Sequence, residues 1–133
     1  MKMLLFACVG VAMEIVFTAA VDFPKTRSLR LMGYTYIWVL PLYSLIPLIL
    51  FLLYPMVWTF ALPLRLAIYV ALLFLAEYVS GWVLRRCTGE CPWERNYRGS
   101  PWTVHGLIRL DYALAWAAAA WIFEWLFVRL QGL

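Results

Sequence analysis

Four long apolar stretches, separated by short polar connectors, take up almost all of this 133-residue sequence. A helix needs about 20 apolar residues to cross a bilayer, and each stretch is close to or above that length. A chain this short cannot hide so much apolar surface in a water-soluble core. We therefore predict an all-α fold, a polytopic membrane protein in which one domain, residues 1–133, forms a four-transmembrane-helix bundle. The predicted helices cover about residues 3–21, 31–54, 56–84 and 106–129.

The composition excludes several other classes of protein. Hydrophobic residues make up 66% of the chain and charged residues 14%, whereas soluble domains are about half apolar and about a quarter charged. This balance excludes a disordered chain, a nucleic-acid-binding domain and an ordinary water-soluble enzyme. The sequence also lacks a glycine-rich phosphate loop ending in Lys-Ser or Lys-Thr, so any ATP would have to be bound by another chain. We expect no cofactor and no nucleic-acid partner.

The distribution of Lys and Arg predicts the orientation in the membrane. The connectors 22–30 and 85–105 lie on one side of a four-helix chain and hold seven Lys and Arg residues, against two on the other side. Because cytoplasmic loops carry the excess of positive charge, we expect both connectors in the cytoplasm and both termini outside. A bacterial inner membrane is the expected location. The first stretch resembles a signal peptide, but Glu14 inside it favours a retained spanning helix.

Charged residues inside the apolar stretches are the main candidates for function. Such residues are costly in hydrocarbon and usually face a protein interior or a wet cavity. From the helical rise, Glu14 and Glu77 would lie about 12 Å below the cytoplasmic side, and Arg109 and Asp111 about 5 and 8 Å below it. On a helix, residues two positions apart do not face each other, so Asp111 is expected to point away from Arg109. Arg65 and Glu124, near the opposite face, are predicted to form a structural ion pair.

Three carboxylates and one arginine would therefore meet in the cytoplasmic half of the membrane. The excess acid must be protonated, hydrated or met by a cation of a ligand, which favours a ligand-binding site. The alternative is that these charges only hold the helices together. Gly10 precedes Glu14, and Gly81 follows Glu77, by one helical turn. A small residue there either admits a neighbouring helix or leaves space for a ligand.

The polar segment 85–105 offers two further candidates. Cys87, Cys91 and His105 could supply three zinc ligands, but a closed structural site needs four and the spacing is irregular. We expect no metal and free thiols. Its aromatic residues either form part of an interfacial belt or form a lid over the charged site; they are Trp93, Tyr97 and Trp102.

The arrangement of these residues resembles a known family, the small bacterial membrane proteins called putative ABC-transporter type IV (CmpB-like), to which small vertebrate transmembrane proteins are similar. The second half carries the resemblance in Glu77-Tyr78-x-x-Gly81, Cys91-Pro92-Trp93 and the run 104–112, and the first half in Gly10-x-x-x-Glu14, Gly33-Tyr34 and Pro41-x-Tyr43. The resemblance covers nearly the whole chain and implies a small membrane protein of a family labelled as ABC-type permeases. It singles out Glu14, Glu77, Trp93, Arg109, Asp111 and Glu124. We predict as ligand-binding residues Glu14, Tyr43, Glu77, Trp93, Arg109 and Asp111. The family's loop reads Trp-Asp-Tyr, whereas here Trp93 is followed by Glu94 and the tyrosine is displaced to Tyr97.

We therefore expect a small membrane protein that binds or transports a polar or amphipathic ligand through its carboxylate and arginine cluster. It would act among membrane lipids as a homo-oligomer or with a larger membrane partner. One alternative is an intramembrane enzyme acting on lipid, with Glu77 or Asp111 as general base and Arg109 holding a head-group phosphate. Another is an accessory subunit whose charges serve only assembly. The sequence has no Ser-His-Asp, H-E-x-x-H or paired-aspartate signature, and it therefore indicates no class of enzyme.

Overall fold

The computed structural model describes residues 1–132 and is predominantly helical. Within that range four helices are long and apolar enough to cross a membrane. This confirms the prediction of an all-α, four-helix membrane protein. In chain order the elements are α1 (Lys2–Thr26), α2 (Val39–Val57), α3 (Leu62–Thr88), the short α4 (Glu94–Tyr97), strands β1 (Thr103–Val104) and β2 (Ile108–Arg109), a 3-10 turn (Leu110–Tyr112) and α5 (Ala113–Leu130).

The second helix begins at Val39, not near residue 31 as the apolar pattern suggested. The preceding segment lies so close to α1 that a Cβ on Gly33 would overlap the backbone carbonyl of Ile15. The Thr18 hydroxyl accepts a hydrogen bond from the amide of Tyr34 and donates one to its carbonyl, both at 2.9 Å. Because α1 satisfies this backbone directly, the segment stays non-helical although it is apolar.

Proline and arginine define the start of α3. The chain leaves α2 at Val57, and Pro63 stands in the first turn of α3, where no amide hydrogen is needed. Arg65 Nη1 donates to the carbonyls of Trp58 (3.3 Å) and Phe60 (3.0 Å), which closes the turn between the two helices. With 27 residues, α3 is about 40 Å long, about 10 Å longer than the hydrocarbon core.

The last helix begins at Ala113, later than the predicted residue 106. Strands β1 and β2 form an antiparallel hairpin in which Val104 pairs with Ile108. His105 and Gly106 both have positive φ, 54° and 70°, at the tight turn of this hairpin. Arg109 is therefore in a strand, just before the fourth candidate span, Leu110–Leu130, and Asp111 is in the 3-10 turn with which that span begins.

The chain divides into two compact units. The first contains Met1–Met56 together with the residues from Phe123 onward, and the second is Val57–Ile122. The core of the first unit includes Phe6 stacked on Phe123 at 5.6 Å between ring centroids. The core of the second includes Leu107, which is 1% exposed. That residues 1–133 act as one transmembrane domain stays a prediction.

Candidate functional site

In the first unit, Glu14 of α1 is hydrogen-bonded by a tyrosine from α2. The Tyr43 hydroxyl donates to Glu14 Oε2 at 3.2 Å, and the Tyr43 ring is buried. The ring covers Gly10, where a Cβ would overlap the ring carbons. The space that Gly10 leaves on α1 is therefore filled by the Tyr43 ring.

In the second unit, side chains of a loop lie against Gly81, the glycine that follows Glu77 by one turn. A Cβ on Gly81 would come within 3.0 to 3.2 Å of side-chain atoms of Leu107, Trp93 and Cys91. Trp93 Nε1 donates to the carbonyl of Leu107 at 2.8 Å, and both side chains are buried. The segment that we call the docked loop, residues 89–112, thus folds back along the last turns of α3. Non-helical backbone is stable near a membrane when protein buries it in this way.

Tyr97, in the short helix of the docked loop, reaches Glu77. Its hydroxyl donates to Glu77 Oε1. The Tyr97 ring is buried and meets the Tyr112 ring edge-on, with 5.9 Å between the centroids. Glu77 lies eleven residues before the end of α3 at Thr88, about 16 Å along the helix. Tyr97 therefore brings a polar group from the loop to a carboxyl well inside the span.

Arg109 and Asp111 form a direct ion pair in the same unit. Arg109 Nε is 2.9 Å from Asp111 Oδ1, and Arg109 Nη2 is 2.8 Å from Asp111 Oδ2. The expectation that Asp111 points away from Arg109 is wrong, because it assumed a helix where the chain is extended and then forms a 3-10 turn. Arg109 Nη1 also donates to the Tyr112 hydroxyl at 2.8 Å, and its guanidinium lies 4.3 Å from the ring centroid. The hydrogen bond to Asp111 is the main reason that the pKa of Arg109 is raised.

Glu94 joins the docked loop to the end of α3. Its two carboxylate oxygens lie 3.2 Å from Arg85 Nη2 and 3.3 Å from Arg98 Nη2. Arg85 Nη2 also donates to the carbonyl of His105 at 2.7 Å. Burial raises the pKa of Glu94, but the hydrogen bond from Arg98 and the positive charge of Arg85 outweigh that effect and lower it overall. Glu94 thus ties the first part of the docked loop to the end of α3.

The predicted site residues fall into two groups. Glu77, Trp93, Arg109 and Asp111 lie in the second unit, linked by the contacts above. Glu14 and Tyr43 are paired in the first unit. That the two groups form one ligand-binding cluster stays a prediction.

The predicted ion pair between Arg65 and Glu124 also stays a prediction. Arg65 bonds to backbone carbonyls at the start of α3. Glu124 is 6% exposed, in the interior of the first unit.

Two important residues of the second unit were not among the predicted site residues, Tyr97 and Glu94. Tyr97 was expected only as a residue of a belt or a lid, and no role was expected for Glu94. The available signal was the family's Trp-Asp-Tyr loop, which here reads Trp93-Glu94 with the tyrosine at position 97. Trp93 and Tyr97 are buried in the protein, whereas Trp102 is 57% exposed.

The three thiols are free. Cys87 is exposed, while Cys91 is buried, and burial raises the pKa of the Cys91 thiol. Across residues 1–132, no three His, Cys, Asp or Glu side chains are grouped as metal ligands would be.

The sequence model of one protein family, described as Putative ABC-transporter type IV, matches residues 1–131. The match covers both glutamate–tyrosine pairs and the docked loop. No solved structure matches the chain.

Proposed function

This chain belongs to the Putative ABC-transporter type IV family, and on that premise we propose that it binds, and helps to transport, a polar or amphipathic ligand within the membrane. The site centres on Glu77 in the second unit, which also contains the Arg109–Asp111 pair. Glu14 and Tyr43 form a separate polar pair in the first unit. The family's description supports a transporter component, and the ligand-binding role of these residues is our proposal.

The hydrogen bond between Tyr97 and Glu77 is the observation that carries the proposal. Four spanning helices could be held together by apolar packing and small residues alone. A carboxyl within a membrane span costs free energy, and such residues usually serve a function. Here the Tyr97 hydroxyl of the docked loop donates to that carboxyl. The Tyr97 ring contacts Tyr112, whose hydroxyl accepts a hydrogen bond from Arg109. This polar path from the loop into the span is what a ligand-binding site in a transporter needs.

The charges in the second unit support a ligand that carries a charged or strongly polar head group. Arg109 is neutralised by Asp111 through parallel hydrogen bonds. An amphipathic molecule could place its head group at Glu77 and leave its apolar part among the exposed apolar side chains of the helices.

Orientation and partners belong to the same proposal. We place the connectors 22–30 and 85–105 in the cytoplasm of a bacterial inner membrane, since they hold most of the Lys and Arg residues. Alkaline phosphatase fused after residue 133 should then be active, and a fluorescent protein fused there should be dark. The opposite result would reverse the orientation. The protein would work as a homo-oligomer or with a larger membrane partner.

Direct binding tests the proposed site. Purified protein in lipid nanodiscs would be titrated with radiolabelled dodecylammonium and with dodecyl phosphate, and empty nanodiscs would correct for partitioning. We expect saturable binding of at least one probe and a loss of about tenfold or more in affinity in Glu77→Gln, because the hydrogen-bond acceptor loses its charge. Glu90→Gln is the matched control, since Glu90 is a surface residue whose side chain is 67% exposed. Equal binding by the parent, Glu14→Gln and Glu77→Gln would refute the proposal.

An accessory subunit is the second candidate. The family's description favours it, because ABC transporters need an ATP-binding chain and this sequence has no phosphate loop. Stoichiometric co-purification of an ATPase from native membranes would support this role. A protein that purifies alone and binds a probe through Glu77 would count against it.

A further inference from the structure

Tyr97 occupies the position at Glu77 that a ligand head group would need. Its hydroxyl donates to Oε1 of the carboxyl. Its ring is 8% exposed, and it is held by the ring of Tyr112. A head group that approaches this oxygen from the side of the buried Tyr97 ring therefore competes with the Tyr97 hydroxyl.

The replacement has to satisfy the same carboxylate. In surroundings of low polarity, a carboxylate that loses a hydrogen-bond donor is left with a costly unsatisfied charge. A head group with N–H donors can take over the bond, and a positive charge makes that bond stronger than the one from a neutral hydroxyl. A trimethylammonium group carries the same charge but has no N–H to donate.

The neighbouring arginine shows that such a head group suits this part of the protein. The Arg109 guanidinium donates to a carboxylate, that of Asp111, and lies against an aromatic ring, that of Tyr112. Glu77 and Tyr97 offer a ligand cation the same two kinds of group, a carboxylate and a tyrosine ring. A carboxylate next to a tyrosine thus occurs twice within residues 77–112, and in one of the two cases it surrounds a protein cation, the Arg109 guanidinium.

On these grounds we propose that the site selects amphipathic cations with N–H donors, such as primary ammonium or guanidinium head groups, over their fully methylated forms, and that Tyr97 is the residue with which they compete. This inference rests on the proposed function and adds the class of ligand. Charge alone would not discriminate between the two head groups. Selection depends on the hydrogen bond that passes from Tyr97 to the ligand.

The test compares two probes with the same chain, dodecylammonium and dodecyltrimethylammonium, bound to the full-length protein in nanodiscs at pH 8. We expect the parent to bind dodecylammonium about tenfold more tightly, as one charge-assisted hydrogen bond allows. In Tyr97→Phe the competing hydroxyl is gone, and dodecylammonium should bind about tenfold more tightly than to the parent. In Glu77→Gln the preference between the two probes should fall to about twofold or less, because the amide carries no charge.

Tyr54→Phe is the matched control, because it removes a tyrosine hydroxyl from α2, in the first unit. Its affinities should equal those of the parent. If both probes bind through Glu77 with equal affinity, or if Tyr97→Phe leaves dodecylammonium binding unchanged or weaker, the selectivity proposal fails and the proposed function stands. If neither probe binds in a Glu77-dependent way, and dodecyl phosphate does not either, both proposals fail.

Discussion

Each compact unit contains a glutamate on a spanning helix, a glycine one turn away and a tyrosine that donates to the carboxylate. In the first unit the tyrosine, Tyr43, belongs to a neighbouring helix, and its own ring covers Gly10. In the second unit the tyrosine, Tyr97, belongs to a loop, and other loop side chains cover Gly81. The Glu14 pair is therefore part of helix packing. The Glu77 pair lasts only while the docked loop stays folded against α3.

This difference indicates which glutamate can change its surroundings. Separating Tyr43 from Glu14 would mean moving a buried ring that lies over Gly10, between two long apolar helices. Moving Tyr97 away from Glu77 requires the release of a 24-residue segment, 89–112, whose attachment depends on a few side chains. Gly89 and Gly99 within it have positive φ, and a Cβ on either would meet open space. The second unit is accordingly where we expect ligand binding to be coupled to movement.

The largest effect should come from removing the side chain that attaches the loop. Trp93→Ala deletes a buried ring and its hydrogen bond to Leu107, and such truncations cost about 3 to 5 kcal/mol in buried positions. Thermal unfolding in detergent should occur at a lower temperature. Hydrogen–deuterium exchange should rise in residues 89–112 and remain unchanged around Glu14 and Tyr43.

Trp102→Ala is the control, because that ring is in the same loop but is 57% exposed. It should leave stability and exchange close to those of the parent. An equal rise in exchange around Glu14 after Trp93→Ala would show that the two pairs are not independent.

A smaller effect should follow from adding one methyl group to each glycine. In Gly10→Ala the new Cβ would overlap the Tyr43 ring, which its hydrogen bond to Glu14 holds in place. Overpacking of this kind costs about 1 to 3 kcal/mol. In Gly81→Ala the nearest atoms are side-chain atoms at 3.0 Å and beyond, which can shift slightly. We expect a loss of about 2 kcal/mol for Gly10→Ala and about 0.5 kcal/mol or less for Gly81→Ala in SDS-induced unfolding. Equal losses would mean that the loop packs as rigidly as the helix.

The two units also differ in how much of each could be predicted from sequence. The four spans were visible because a membrane demands long apolar helices. The positions of Glu14, Glu77 and Arg109 within apolar stretches marked them as unusual. The partners were harder to predict. That Tyr43 lies over Gly10 depends on helix packing, and that Tyr97 lies at Glu77 depends on how a loop folds back.

The apolar pattern failed at residues 31–38 and 106–112 for a common physical reason. Hydropathy reports that a segment avoids water, but it does not report whether its backbone bonds to itself or to other groups. Next to Gly33 the backbone bonds to Thr18 on α1, and at His105 and Gly106 it turns with positive φ. Both segments are apolar enough to resemble helix ends. The Arg109–Asp111 pair was missed because it exists only when residues 106–112 are not an α-helix.

A third prediction concerns the two hydroxyl groups. Tyr43→Phe and Tyr97→Phe each remove one hydrogen bond to a glutamate and should each cost about 1 to 2 kcal/mol of unfolding free energy. Their effects on exchange should differ. Tyr43→Phe keeps the ring over Gly10 and should leave protection of α1 and α2 intact, whereas Tyr97→Phe should raise exchange in residues 89–112. Loss of protection in α1 after Tyr43→Phe would show that the first pair is also a movable contact.

The smallest effect is expected from acid, through Glu94 in the docked loop. Its pKa in the folded protein lies below the ordinary value of 4.5, since Arg98 and Arg85 together outweigh the effect of burial. A carboxyl with a depressed pKa contributes its full stability above the ordinary pKa and loses it as the pH falls through the folded pKa.

The parent should therefore be more stable than Glu94→Gln at pH 6, by about 1 kcal/mol or less because the pairs are partly exposed. The difference should shrink as the pH is lowered from 4.5 towards 3, because protonation then makes the two proteins alike. Acidic residues elsewhere titrate equally in both proteins and cancel in the comparison. A gap in thermal unfolding temperature that stays constant from pH 6 to pH 3 would show that Glu94 does not hold the loop by its charge.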